Sequence, residues 1–152
     1  MNLFVIFGNQ LFNPISLKNL GCTDVYMAED FDLCTYQKHH KLKLYMFLTA
    51  MREYKDELDA AGIHVHYKNL NEADNGPYID TLNDFVKDKT NTVNFFEIED
   101  KPFEIEFQKL ESKGINLIKH QSPMFIFSRE EFAKFHEGKK LFRMAPFYKF
   151  GR

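Results

Sequence analysis

The segment Gly8-Asn9-Gln10-Leu11 is the first stretch of this chain whose residue types could bind a ligand. Glycine lets a backbone turn sharply or approach a ligand closely, and the two amide side chains supply hydrogen-bond donors and acceptors. The sequence contains no G-x-G-x-x-G or G-x-x-x-x-G-K-[ST] motif, which argues against standard dinucleotide or P-loop phosphate binding. On the pattern alone, a strand-to-loop turn without a ligand is the favoured interpretation.

Two histidine-containing segments follow. Tyr36 to Lys41 precedes a helical pattern, and helix starts attract anions, but His39 and His40 would point about 100° apart on a helix and would not chelate one metal. His64 and His66 share one face of a predicted strand, so a metal is geometrically conceivable. A solvated helix start and two half-buried histidines are the favoured interpretations.

Three carboxylates, Glu97, Glu99 and Asp100, end a predicted strand just before Pro102. Paired carboxylates can perform acid–base chemistry when their environments separate their pKa values. We favour a structural interpretation, with Asp100 as a helix N-cap. The two cysteines, Cys22 and Cys34, cannot alone ligate zinc or an iron–sulfur cluster, which need about four ligands. We find no Ser-His-Asp or Cys-His constellation with a recognisable local signature.

Short apolar runs that must position these residues alternate with helical patterns. Predicted strands cover Leu3–Phe7, Asp24–Ala28, Ile63–Tyr67, Thr92–Ile98 and Ile115–Ile118. A loop is expected between the first two strands. Predicted helices cover His39–Ala61 and begin near Pro77, near Pro102 and at Ser128, whose partner Glu131 forms a capping box.

This order predicts an α/β fold, with a Rossmann-like, doubly wound, parallel five-stranded sheet and helices on both faces. Ligands of such sheets bind at the carboxyl ends of the strands, where the strand order reverses. That rule directs attention to Gly8–Phe12, Glu29–His40 and Glu97–Pro102.

The composition of the 152 residues, with a formal charge of −2, is typical of one folded domain. The charge argues against sequence-blind nucleic-acid binding by the chain as a whole. No apolar run approaches the ~20 residues of a membrane span, and no signal-type leader is present, so we expect a cytoplasmic protein. The basic, aromatic segment Lys139–Arg152 lacks a capping signal, and we expect it to begin a connection from a domain spanning 1–138.

Three segments resemble the photolyase-related bacterial cryptochromes, the iron–sulfur (6-4) photolyase group. Gly8 to Leu11 is similar to that family's Gly-Asp-Gln-Leu, and His39 to Arg52 resembles its His-His-Lys-x-Lys helix ending in Ser/Thr-Ala-Met-Arg. The last segment resembles the family's Phe-x-x-x-x-x-Phe, Gly-Arg-Lys and Met-Glu-x-Phe-Tyr-Arg stretch, and all three segments agree in order and spacing. Its matching residues are Phe127 to Phe132, Gly138-Lys139-Lys140, Arg143-Met144 and Phe147-Tyr148.

The resemblance implies that this chain is the N-terminal antenna domain of a longer DNA-repair flavoprotein, a lyase, and is not catalytic alone. It implies a 6,7-dimethyl-8-ribityllumazine chromophore in this domain, with FAD and an iron–sulfur cluster in a C-terminal helical domain. The implied partners are that FAD domain and, for the whole protein, damaged DNA. The lumazine contacts carried over are Gly8, Asn9, Gln10, Leu11, Glu29, Tyr36 and His39.

The sequence departs from the family pattern at several positions. Asn9 stands where the family usually has Asp, Leu33 stands where related sequences can carry a carboxylate, and Met144 is followed by Ala145 and Pro146. Either the antenna binds differently or this member has lost it. The alternative function is therefore a structural or interaction domain with a vestigial ligand site.

Overall fold

The computed structural model describes residues 2–35, 37–70 and 76–151. It contains one five-stranded, all-parallel sheet with the strand order β3-β2-β1-β4-β5. The predicted α/β fold with a doubly wound parallel sheet is confirmed. The strands are β1 (Leu3–Val5), β2 (Asp24–Ala28), β3 (His64–Lys68), β4 (Thr92–Phe96) and β5 (Asn116–His120).

Seven helices connect or follow the strands in the described part of the chain. They are α1 (Pro14–Asn19), α2 (Phe31–Thr35), α3 (Lys41–Ala60), α4 (Tyr78–Val86), α5 (Lys101–Ser112), α6 (Arg129–His136) and α7 (Met144–Phe150). The predicted capping box of Ser128 and Glu131 is present at the start of α6. Asp100 caps α5 as predicted, by accepting a hydrogen bond from the backbone N–H of Phe103.

The prediction of a plain loop between the first two strands is wrong, because this segment contains α1. The Asn13 side chain accepts a hydrogen bond from the backbone N–H of Ile15, and Pro14 occupies the first helical position. Asn followed by Pro is a helix-start signal. The helix is only six residues long and buries just Pro14 and Leu17, so its apolar periodicity is too short to recognise.

Both faces of the sheet are buried, because successive side chains of β1 point to opposite faces. Leu3 and Val5 belong to a core cluster on one face, which also contains residues of α4 and α5 such as Leu82 and Phe107. Phe4 belongs to the cluster on the other face, which contains residues of α1 and α3. The unbroken apolar sequence of the central strand β1 follows from this burial on both faces.

The strand order reverses next to β1. The chain runs from β1 through β2 to β3 on one side, and then returns to place β4 on the other side of β1. The crevice between the carboxyl ends of β1 and β4 is thus the topological switch point, where open α/β sheets bind their ligands.

The contacts divide the chain into two compact units, Met1–His120 and Gln121–Arg152. The first contains the sheet and α1 to α5, and the second contains α6 and α7. Rings of the second unit contact one another, with Phe147 lying 5.2 Å from Phe127 and 5.3 Å from Phe132 between centroids. The predicted domain limits of 1–138 and 139–152 stay a prediction. None of the helices in the described residues is long and apolar enough to span a membrane.

Candidate functional site

A cavity of about 780 Å³ lies in the first unit, at the carboxyl ends of β1, β2 and β4. Its volume falls within the range of ordinary small-molecule sites, and its position coincides with the switch point of the sheet. The residues that follow the three strands form its floor, and the first halves of α3 and α5 form its sides. Of the predicted ligand contacts, it is lined by Gly8, Asn9, Glu29 and His39.

The walls of the cavity are mainly apolar. Leu44, Phe47, Leu48 and Met51 of α3 line one side. Phe7 and Phe103 also line it, in an edge-to-face contact with their ring centroids 5.1 Å apart. Aromatic and aliphatic walls of this kind suit a flat heterocyclic ring.

The predicted apolar face of helix α3 packs in the core at one end of the helix and lines the cavity at the other. Tyr54 and Leu58, in its C-terminal half, are buried in the core against the sheet. Leu44, Phe47 and Leu48, one to two turns from its start, are only partly buried and line the cavity. Periodicity identified the face correctly, but it cannot separate core positions from cavity positions.

An amide–carboxylate network lies at the ends of β1 and β4. Asn9 Nδ2 donates to Glu99 Oε2 at 3.1 Å, and Gln10 Nε2 lies 3.5 Å from the same oxygen. Gln10 is fully buried, and its Nε2 also donates to the backbone oxygen of Glu97 at 2.8 Å. Gln10 Oε1 has no hydrogen-bond partner among the described residues. Gln10 therefore connects the end of β1 to the end of β4 from a buried position, whereas Asn9 and Glu99 line the cavity.

Glu29 contributes mainly to the architecture of the site. Its buried carboxylate accepts hydrogen bonds from Arg52 Nε at 2.6 Å, Arg52 Nη2 at 2.9 Å and the Tyr67 hydroxyl at 2.8 Å. It also accepts from the backbone N–H of Leu70 at 3.2 Å. Burial alone would raise the pKa of Glu29, but these donors outweigh burial and lower the pKa. Its carboxylate is thus engaged within the protein.

The other predicted contacts are distributed around the site. His39 lines the cavity, with Nδ1 3.4 Å from Lys43 Nζ. Leu11 is partly buried and packs against the core cluster under α1 and α3. Tyr36 lies outside the described residues, as does the side chain of Leu33.

Sequence reasoning missed Tyr78, which lines the cavity from the start of α4. Its hydroxyl is buried and has no hydrogen-bond partner among the described residues. Burial raises the pKa of Tyr78 well above its ordinary value, so the phenol stays protonated. A Pro-Tyr pair at a helix start carries no signal of such a role.

Gly8 permits the close approach of α3 to the end of β1. A Cβ atom at position 8 would lie 2.8 Å from Met51 Sδ. Close helix packing against the first strand end is thus the reason for glycine here, rather than an unusual backbone angle.

His64 and His66, the histidine pair on β3, are not arranged as a metal site. His66 Nε2 lies 3.2 Å from Asp24 Oδ1, and the His64 and His66 rings are 4.5 Å apart, edge to face. Within residues 2–35, 37–70 and 76–151, no group of three or more His, Cys, Asp or Glu side chains could hold a metal ion.

The fold and the site together define a Rossmann-like domain with a ligand-sized cavity at its switch point. The model of the deoxyribodipyrimidine photo-lyase-related protein family matches residues 4–152, and the chain belongs to this family. The family resemblance seen in the sequence is confirmed, whereas the iron–sulfur subgroup stays a prediction. No curated protein has a sequence that matches this chain significantly.

Proposed function

We propose that this chain is the antenna domain of a photolyase-related flavoprotein and that its cavity holds a ribityllumazine-type chromophore. The observation that carries the proposal is the cavity of about 780 Å³ at the switch point, lined by Gly8, Asn9 and His39 of the family-like segments. Membership of the photolyase-related family adds support, because the resemblance of those segments to the family implies an antenna in a light-driven repair protein.

The residues of the cavity fit such a group. Phe7, Phe47, Leu48 and Phe103 offer apolar surfaces on which a flat heterocycle can rest. Asn9 and Glu99 offer a polar edge for a hydroxylated side chain. The chromophore would supply light absorption, and the protein would supply its orientation, its polarity and its shielding from water.

The repair chemistry belongs elsewhere in this proposal. The family resemblance assigns FAD, an iron–sulfur cluster and the contact with damaged DNA to a C-terminal domain. This chain would then act by positioning an antenna next to that flavin, and it would not split a DNA lesion by itself.

Fluorescence titration with 6,7-dimethyl-8-ribityllumazine tests the proposal. The wild-type chain is expected to bind the lumazine saturably. Leu48→Trp places a larger side chain in the cavity and is expected to weaken binding at least about tenfold, because a ligand cannot share the occupied volume. The matched control is Met46→Trp on the same helix, where the side chain is 59% exposed and does not line the cavity.

Equal affinity of Leu48→Trp and Met46→Trp would place the binding site outside the cavity. An absence of saturable binding of lumazine, riboflavin and FMN to the folded wild-type chain would contradict the antenna function itself.

A second candidate function, an interaction domain, is favoured by the exposed apolar side chains of the second unit. Ile126 is 91% exposed, Leu141 68% and Tyr148 66%, and apolar surfaces of this kind often mark partner contacts. This candidate predicts self-association of the chain, measurable by sedimentation velocity, that polar substitutions at these three positions abolish.

A further inference from the structure

Carboxylates outnumber cations in the lining of the cavity, although its walls are apolar. The acidic residues are Glu29, Asp30, Glu99, Asp100 and Glu106, and the basic ones are His39 and Lys43. Glu29 is paired with Arg52, and Glu106 lies 2.6 Å from Lys109 Nζ. Asp30, Glu99 and Asp100 follow the carboxyl ends of β2 and β4, on the floor of the cavity.

The usual anion site of such a fold is occupied by the protein itself. In open α/β sheets, the N-terminus of a helix after a strand commonly binds a phosphate. Here the Asp100 carboxylate accepts the backbone N–H of Phe103 at 2.8 Å, at the start of α5. The neighbouring Lys101 Nζ is 2.9 Å from Glu104 Oε2. A phosphate at this helix start would face a carboxylate.

Glu99 is held at this floor by the two amide side chains that follow β1. Asn9 Nδ2 donates to its Oε2, and Gln10 Nε2 lies at the outer limit of hydrogen-bond distance from the same atom. These contacts join the end of β4 to the end of β1. The amide at position 9 suits this arrangement, because an aspartate there would place a second carboxylate against Glu99.

We infer that Glu99 is the ligand-recognising carboxylate of the cavity and that it makes the site select unphosphorylated polyhydroxylated heterocycles over their phosphorylated forms. The inference rests on the proposed function, and it names the ligand class of the same cavity. A carboxylate accepts hydrogen bonds from ribityl hydroxyls, but it repels a phosphate dianion placed at the same end of the ligand.

Riboflavin and FMN form a suitable ligand pair, since they differ only in the phosphate at the end of the ribityl chain. In fluorescence titrations of the whole chain at low ionic strength, riboflavin is expected to bind at least about tenfold more tightly than FMN. Glu99→Gln removes the charge and keeps an oxygen that accepts a hydrogen bond from Asn9. We expect this variant to lower the ratio of the FMN dissociation constant to the riboflavin dissociation constant about three- to tenfold. Added salt is expected to narrow the wild-type ratio as well.

The control is Glu111→Gln, which removes an exposed carboxylate from α5, the helix that follows Glu99, outside the cavity lining. It is expected to leave the riboflavin/FMN ratio unchanged. Circular dichroism of both variants checks that they are folded.

FMN binding as tightly as riboflavin would overturn the inference and leave the proposed function standing. A ratio that Glu99→Gln does not change would overturn the role of Glu99. If riboflavin, FMN and ribityllumazine all fail to bind the folded chain, the proposed function fails, and the inference fails with it.

Discussion

Glu29 was predicted as a ligand contact, and the structure gives it a definite architectural role at the edge of the cavity. Its carboxylate, with a side chain that is 0% exposed, connects the end of β2 to Arg52 on α3 and to Tyr67 on β3. A buried carboxylate requires such donors, because leaving it without them costs several kcal/mol. The residue therefore fixes the distance between α3 and the sheet.

Arg52→Met removes both guanidinium donors and is expected to lower the free energy of unfolding by about 2–3 kcal/mol at pH 7. Urea denaturation measures this loss. The double variant Glu29→Gln with Arg52→Met is expected to be more stable than Arg52→Met alone, since it leaves no buried charge.

The effect of pH on this pair has a defined sign. The folded-state pKa of Glu29 is lowered, so its stabilisation is complete above the unfolded-state value of about 4.3 and is lost as the pH falls through the folded value. The stability gap between wild type and Arg52→Met is therefore expected to shrink below about pH 4. A gap of equal size at pH 3 and pH 7 would contradict the account of Glu29.

At the scale of elements, helix α3 determines both the core and the cavity. Gly8 allows its Met51 to lie against the end of β1, and Phe47 Cδ1 would lie 3.6 Å from a Cβ at position 8. Any side chain at position 8 therefore has to displace a residue of α3. A larger residue at position 8, at the end of β1, is therefore expected to displace residues of α3 that line the cavity.

Gly8→Val is expected to destabilise the fold by about 1–3 kcal/mol, since overpacking a buried contact displaces its neighbours. Adding Met51→Ala is expected to recover part of that loss, giving a coupling energy of about 1 kcal/mol in a double-mutant cycle measured by thermal or urea unfolding. Strict additivity of the two changes would show that the contact between Gly8 and Met51 is not what requires glycine.

The sequence predicted the elements well where the local signals were strong. The unbroken apolar run of β1, the cap at Asp100 and the capping box at Ser128 are local features, and each was confirmed. Helix α1 was missed because six residues are too few to show a period. The predicted strands ended too late at β1 and β4, at Phe7 and Ile98 instead of Val5 and Phe96. The reason is that the chain stays buried beyond the last residue of each strand.

The candidate site was only partly predictable. Gly8, Asn9 and His39 were found by position and family resemblance, and they do line the cavity. The contact of Asn9 with Glu99 spans 90 residues and exists because β4 lies beside β1. The pattern of the sequence does not encode that adjacency. The role of Tyr78 depends on the same tertiary arrangement.

At the scale of the whole molecule, the cavity belongs to the first compact unit, whereas the exposed residues Ile126, Leu141 and Tyr148 belong to the second. The first unit carries the sheet, the cavity and its acidic floor. The second carries a cluster of phenylalanines with basic residues such as Lys139, whose Nζ lies 3.2 Å from the centroid of the Phe135 ring. The proposed ligand binding and the alternative, partner contact, can therefore be tested by substitutions in different parts of the chain.

The central claim, that the cavity at the switch point binds the chromophore, is tested most directly by solution NMR of the 18.1 kDa chain. Amide shifts of a nitrogen-15-labelled sample would be followed during titration with 6,7-dimethyl-8-ribityllumazine. We predict saturable changes centred on Gly8, Asn9, Glu99 and residues 44–48, with the amides of α6 and α7 unaffected. Changes confined to α6 and α7, or no saturable change at the cavity residues, would contradict the account.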